Sequence, residues 1–136
     1  MPTFAVKKLD EFECNLNIFA LVRDGICFYD DAVNELMKDG NLRKELKRVY
    51  ALIQFVGNHG TRHKNIHQLK DIPNFTTWEL KTNHLRFYFL YGQGMMIISG
   101  GKKVDQKADI SQLKSILKQL PNNFNDVHQG RIAGGS

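Results

Sequence analysis

Apolar and polar positions alternate most clearly in two stretches of the chain. Near the start, Phe12, Cys14, Leu16 and Ile18 alternate with Glu13, Asn15 and Asn17. That is the period-2 pattern of a strand with one wet face. Farther on, Leu85, Phe87, Phe89 and Tyr91 alternate with Arg86, Tyr88 and Leu90, so nearly every position is apolar or aromatic. This reads as a central strand buried on both faces. Residues 76–81 and 95–99 read as its neighbours. The Gly92-Gln93-Gly94 turn favours a hairpin, so 76–81, 85–91 and 95–99 are predicted as consecutive antiparallel strands.

Helical spacing takes over elsewhere. Asp30 and Asp31 are N-cap candidates for a short helix with Val33, Leu36 and Met37 inward, stopped by Gly40. Leu42, Leu46, Val49, Tyr50, Ile53 and Val56 predict a second helix over 41–56, ended by Gly57 and Gly60 and packed across one face of the sheet. Its other face is basic, with Arg43, Lys44, Lys47 and Arg48. Asp109 or Ser111 can cap a last helix that turns Ile110, Leu113, Ile116, Leu117 and Leu120 inward and stops at Pro121. Arg23-Asp24-Gly25 is a turn, and 58–74 reads as irregular. The pattern predicts one α+β domain over 1–121 and an unstructured Asn- and Gly-rich tail over 122–136.

Composition narrows the class. The chain has 136 residues, enough for one domain with a real core. No run approaches the roughly 18 apolar residues of a membrane span, and MPTFAVKKLDEFE lacks the apolar centre of a signal peptide. Cys14 and Cys27 form no C-x-x-C pair and are expected as free buried thiols of a cytoplasmic protein.

Charge is uneven. Of the 19 Lys and Arg and 14 Asp and Glu, eight bases and three acids fall between Arg62 and Lys107. The whole net charge of +5 therefore sits in that window, and the rest of the chain is neutral. A concentrated basic surface is the footprint of a polyanion partner; the bland alternative is a solvated basic face. Arg86 stands in an apolar strand, where a charge must reach the sheet end or find a partner.

In order, these residues form a string: Trp78-Glu79-Leu80-Lys81, then Arg86 opening the next strand, then a glycine turn, an apolar strand, and Lys102-Lys103 with Gln106-Lys107. The string resembles the RelE/ParE toxin superfamily of type II toxin–antitoxin systems, in particular its HigB-like, phage-associated branch. The resemblance covers about 42–120. It implies a compact RelE-like fold: two N-terminal helices packed on a twisted antiparallel sheet, with a C-terminal helix. It further implies a ribosome-dependent mRNA endoribonuclease that needs neither metal nor cofactor. Its partners would be the ribosome, mRNA and a cognate antitoxin, often of helix-turn-helix type. The ParE branch inhibits gyrase instead, so a binding protein that does not cleave is the alternative.

The chemistry suits such residues. In metal-free RNA cleavage the 2′-hydroxyl attacks the adjacent phosphorus, and fixed cations stabilise the charge that gathers on the phosphoryl oxygens. Arg is favoured because its planar fork binds phosphate through two hydrogen bonds. A base and an acid must also move protons. By motif position, Arg86, Lys102, Lys103 and His67 are the expected catalytic residues. Lys64, Lys70, Lys81, Lys107, Tyr88 and Tyr91 are the expected RNA-binding set. Arg86 is expected at the sheet end, its guanidinium open to a groove shared with Lys102 or Lys103. Many relatives of the branch carry His-Gly-Phe where this chain has Ser99-Gly100-Gly101, which removes one candidate proton-transfer group. His59, His63 and His67 are spaced for one helical face, but Gly57 and Gly60 interrupt it, so no metal site is predicted.

Overall fold

A computed structural model describes residues 2–122 and 124. The chain opens with β1 (Phe4–Lys8), β2 (Ile18–Arg23) and β3 (Ile26–Cys27). Two helices follow, α1 (Phe28–Leu36) and α2 (Gly40–His59). Then come β4 (Ile66–Gln68), β5 (Thr77–Lys81), β6 (Leu85–Tyr91) and β7 (Met95–Lys102). A 3-10 turn (Lys103–Asp105) leads into α3 (Gln106–Gln119).

The architecture is α+β. One sheet runs β1-β2-β7-β6-β5-β4, with β3 also paired to β2. As expected, β5, β6 and β7 are consecutive and antiparallel. The sheet as a whole is mixed rather than antiparallel, because β2 lies parallel to β7, with Ile18 opposite Met95 and Ala20 opposite Ile97. Between these two strands the chain passes through β3, α1, α2 and then β4, β5 and β6, a route long enough to bring β7 back in the same direction as β2.

The sheet separates two cores. On one face, Leu80, Leu85, Phe87, Phe89, Met95 and Ile97 pack with Tyr29 and Leu36 of α1 and with Leu46, Val49, Ile53 and Val56 of α2. On the other, Phe19, Leu21, Tyr88, Leu90, Met96 and Ile98 meet Leu113, Ile116 and Leu117 of α3. Thus β6 is buried on both faces, as its composition predicts.

Several boundaries differ from the reading of the pattern. Residues 12–17 are not a strand: Phe12 packs edge-on against Tyr50, with ring centroids 5.8 Å apart. The Leu16 amide donates to the Gly57 carbonyl at 2.9 Å. The alternation there records a loop laid over α2, with its apolar set turned inward. Asp30 and Asp31 do not cap α1 but occupy its first turn, where the helix dipole favours acids. Gly40 opens α2 rather than closing α1, and Asp39 caps α2 by accepting from the Asn41 and Leu42 amides.

Helix α2 also runs through Gly57. A Cβ at that position would lie 2.3 Å from Cys14 Sγ, so the glycine lets the loop approach. Gly60, at φ 88°, ends the helix. The stretch expected to be irregular contains β4. Asp109 and Ser111 lie inside α3, which starts at Gln106, and Pro121 follows it. Beyond it Phe124 is buried and packs on Phe4 at 6.0 Å. The rest of the expected tail, 123 and 125–136, falls outside the described residues.

Candidate phosphodiester site

Two short segments meet at the N-terminal end of α2. One is the β5–β6 turn, Thr82-Asn83-His84. The other is the exit of β7, where the Lys103 amide donates to the His84 carbonyl at 2.7 Å. Glu45, in the second turn of α2, reaches across to the first segment. Its carboxylate accepts from the Thr82 hydroxyl, from the His84 amide at 2.7 Å, and pairs with His84 Nδ1 at 2.9 Å.

These segments enclose a notch of about 340 Å³ lined by Asp39, Asn41, Leu42, His84, Lys102, Lys103 and Val104. The Glu45 side chain is nearly covered, whereas that of His84 is 71% exposed. Burial pushes the Glu45 carboxyl up, but the hydrogen bonds from Thr82 and His84 outweigh it and hold the group below its ordinary value. An ionised carboxylate only accepts, so His84 Nδ1 carries a proton. In the neutral ring the lone pair then lies on Nε2, the nitrogen turned away from Glu45. The notch therefore brings two lysines and an oriented imidazole together, beside the Asp39 carboxylate that accepts from the Asn41 and Leu42 amides.

Only Lys102 and Lys103 of the expected catalytic set lie here. Arg86 does sit at the end of its strand, but its guanidinium does not open onto a groove shared with the lysines. It is 8% exposed, and its Nη1 donates to the Thr82 carbonyl at 2.6 Å and the Leu85 carbonyl at 2.8 Å. Strand alternation explains the separation. Lys102 pairs with Leu85, which faces α1 and α2, while Arg86 pairs with Gly101 on the α3 side.

His67 is exposed on β4 and opposite Glu79. It belongs to the row His67, Glu79, Tyr88, Ser99 across four strands. Three strand spacings put it roughly 14 Å from β7, too far to share one phosphate with Lys102 and Lys103. Lys81 is half-buried beside Arg86. Tyr88 is fully buried and so presents no stacking face; burial, with Glu79 and Asp109 nearby, pushes its phenol up. Tyr91 is at the opposite end of β6, next to Gly60. Lys70 lines a separate open groove with Phe75 and Asn74. Lys64 and Lys107 are exposed in the loop before β4 and the first turn of α3.

Packing accounts for small residues at Ser99-Gly100-Gly101. Ser99 is 3% exposed beneath α3. A Cβ on Gly100 would lie 2.2 Å from the Phe87 ring, and one on Gly101 would lie 2.5 Å from Asp109 Oδ2. Glu79 is also enclosed, accepting from Gln106 Nε2 at 2.5 Å.

Glu45, Thr82 and His84 did not stand out in the sequence. The signal available was that Glu45 is the sole acid of α2, set among Arg43, Lys44, Lys47 and Arg48. No protein-family model and no curated protein matches the chain.

Proposed function

We propose that this chain is the toxin of a type II toxin–antitoxin pair, a metal-independent endoribonuclease that cuts mRNA on the ribosome. The observation that carries the reading is the convergence of Lys102, Lys103 and a carboxylate-held His84 on one notch. The lysines supply charge for a phosphodiester, and the imidazole supplies a proton-transfer group at the same place. The motif order of β5 to β7 supplies the family resemblance, and the excess charge around these strands supplies long-range attraction to RNA.

The test is induction in cells followed by primer extension on mRNA, with and without ribosomes and with a chelator present. Growth arrest with ribosome-dependent, chelator-resistant cuts is expected. A second reading, a relative that binds antitoxin, gyrase or RNA without cleaving, draws on the burial of Arg86. Growth arrest with intact mRNA would favour it.

A further inference from the structure

We infer that His84 is the general base of this site and that Glu45 is the residue that positions it. The inference rests on the ribonuclease reading above and deepens it. Three contacts converge on Glu45. The Thr82 hydroxyl and the His84 amide would suffice to staple the β5–β6 turn to α2. The third contact, Oε1 to the His84 ring at 2.9 Å, fixes the tautomer and plane of an otherwise exposed side chain. That is the division of labour found where a carboxylate orients a catalytic imidazole.

The surroundings suit an RNA phosphodiester. Lys102 and Lys103 line the same notch with Asp39, whose carboxylate is engaged by the Asn41 and Leu42 amides, and the Lys103 amide holds the His84 carbonyl, so His84 and the two lysines share one backbone junction. Leu42 and Val104 give the notch an apolar flank, and Val104 is 85% exposed. An exposed apolar side chain beside two lysines is suited to lie under a ribose or base while the lysines take the phosphate.

The step balances without a co-reactant. His84 Nε2 accepts the 2′-hydroxyl proton, the 2′ oxygen bonds to the adjacent phosphorus, and the bond from phosphorus to the 5′ oxygen breaks. The leaving oxygen takes a proton from a lysine ammonium. The products are a 2′,3′-cyclic phosphate and a 5′-hydroxyl, and solvent exchanges the proton from imidazolium back to the lysine. Glu45 touches no reacting atom.

Single-turnover cleavage of a short mRNA on ribosomes, with the full chain, tests this. His84→Asn keeps a donor near the Nδ1 position, toward Glu45, but deletes Nε2. It should cut the rate by about 100-fold or more with KM within about threefold, the usual scale of a lost general base. Added imidazole should restore part of the rate to His84→Ala, a rescue that a purely structural role would not show. Glu45→Gln should lower the rate by about tenfold with KM little changed. Full activity in folded His84→Asn overturns the inference and leaves the ribonuclease reading standing. Absence of rescue alongside a loss of thermal stability equal to the loss of activity also overturns it. A wild-type chain that cuts no RNA overturns both.

Discussion

Arg86 shows how a motif position and a structural position can part. Its guanidinium closes the β5–β6 turn through two backbone carbonyls. Removing it takes the donor from the covered Thr82 carbonyl, while the Leu85 carbonyl keeps the Thr82 amide at 3.1 Å; one acceptor left unpaired costs about 1–3 kcal/mol. Arg86→Ala is therefore expected to lower stability by that amount in urea denaturation, and any loss of activity should track the unfolded fraction. Glu45 carries a second prediction at this scale. Its folded value lies below the ordinary 4.5, so the stability it contributes is present above 4.5 and lost as pH falls through the lower folded value. Urea midpoints should decline over that acid range in the native chain, and more gently in Glu45→Gln.

At the scale of elements, α2 carries most of the organisation. It packs in one core, supplies Glu45 to the Thr82 hydroxyl and the His84 ring, and accommodates Cys14 at Gly57. Alanine in place of an interior helical glycine ordinarily gains about 1 kcal/mol. Here the new methyl would overlap Cys14, and overpacking costs about 1–3 kcal/mol. Gly57→Ala should thus destabilise, by the thermal midpoint, and adding Cys14→Ala should recover part of the loss. The same helix shows what periodicity can convey. Its apolar stripe gave its position because one side packs on a sheet, and β6 was legible because both its faces are buried. Residues 12–17 were misread because a loop pressed on a helix also turns alternate residues inward. The parallel pairing of β2 with β7 was not legible, since strand direction depends on the route of the connection.

On the scale of the whole molecule, the sheet sorts the cations that sequence order had grouped. Arg86 and Lys102, close in the predicted hairpin, leave it on opposite faces, and His67 and Lys70 lie away from β7. Two of the four expected catalytic residues, Lys102 and Lys103, are together, while His84 and Glu45 became apparent only once α2 was placed against the β5–β6 turn. RNA affinity should fall as salt rises, because bound Lys and Arg release counterions. Lys102→Ala with Lys103→Ala should reduce the slope of log affinity against log salt by roughly 1–2; fluorescence anisotropy on a short RNA reads this.

On the proposed reading, the notch beside α2, rather than the surroundings of Arg86, handles the phosphodiester. The most direct measurement compares ribosome-dependent mRNA cleavage by the folded fraction of two variants, Lys102→Ala with Lys103→Ala, and Arg86→Lys. The double variant is expected to lose about 100-fold or more in kcat/KM, the scale of removing fixed charges from a transition state. Arg86→Lys is expected to keep cleavage close to the native rate. Native cleavage by the double variant, together with loss of cleavage in well-folded Arg86→Lys, would contradict that reading and centre the active site on Arg86.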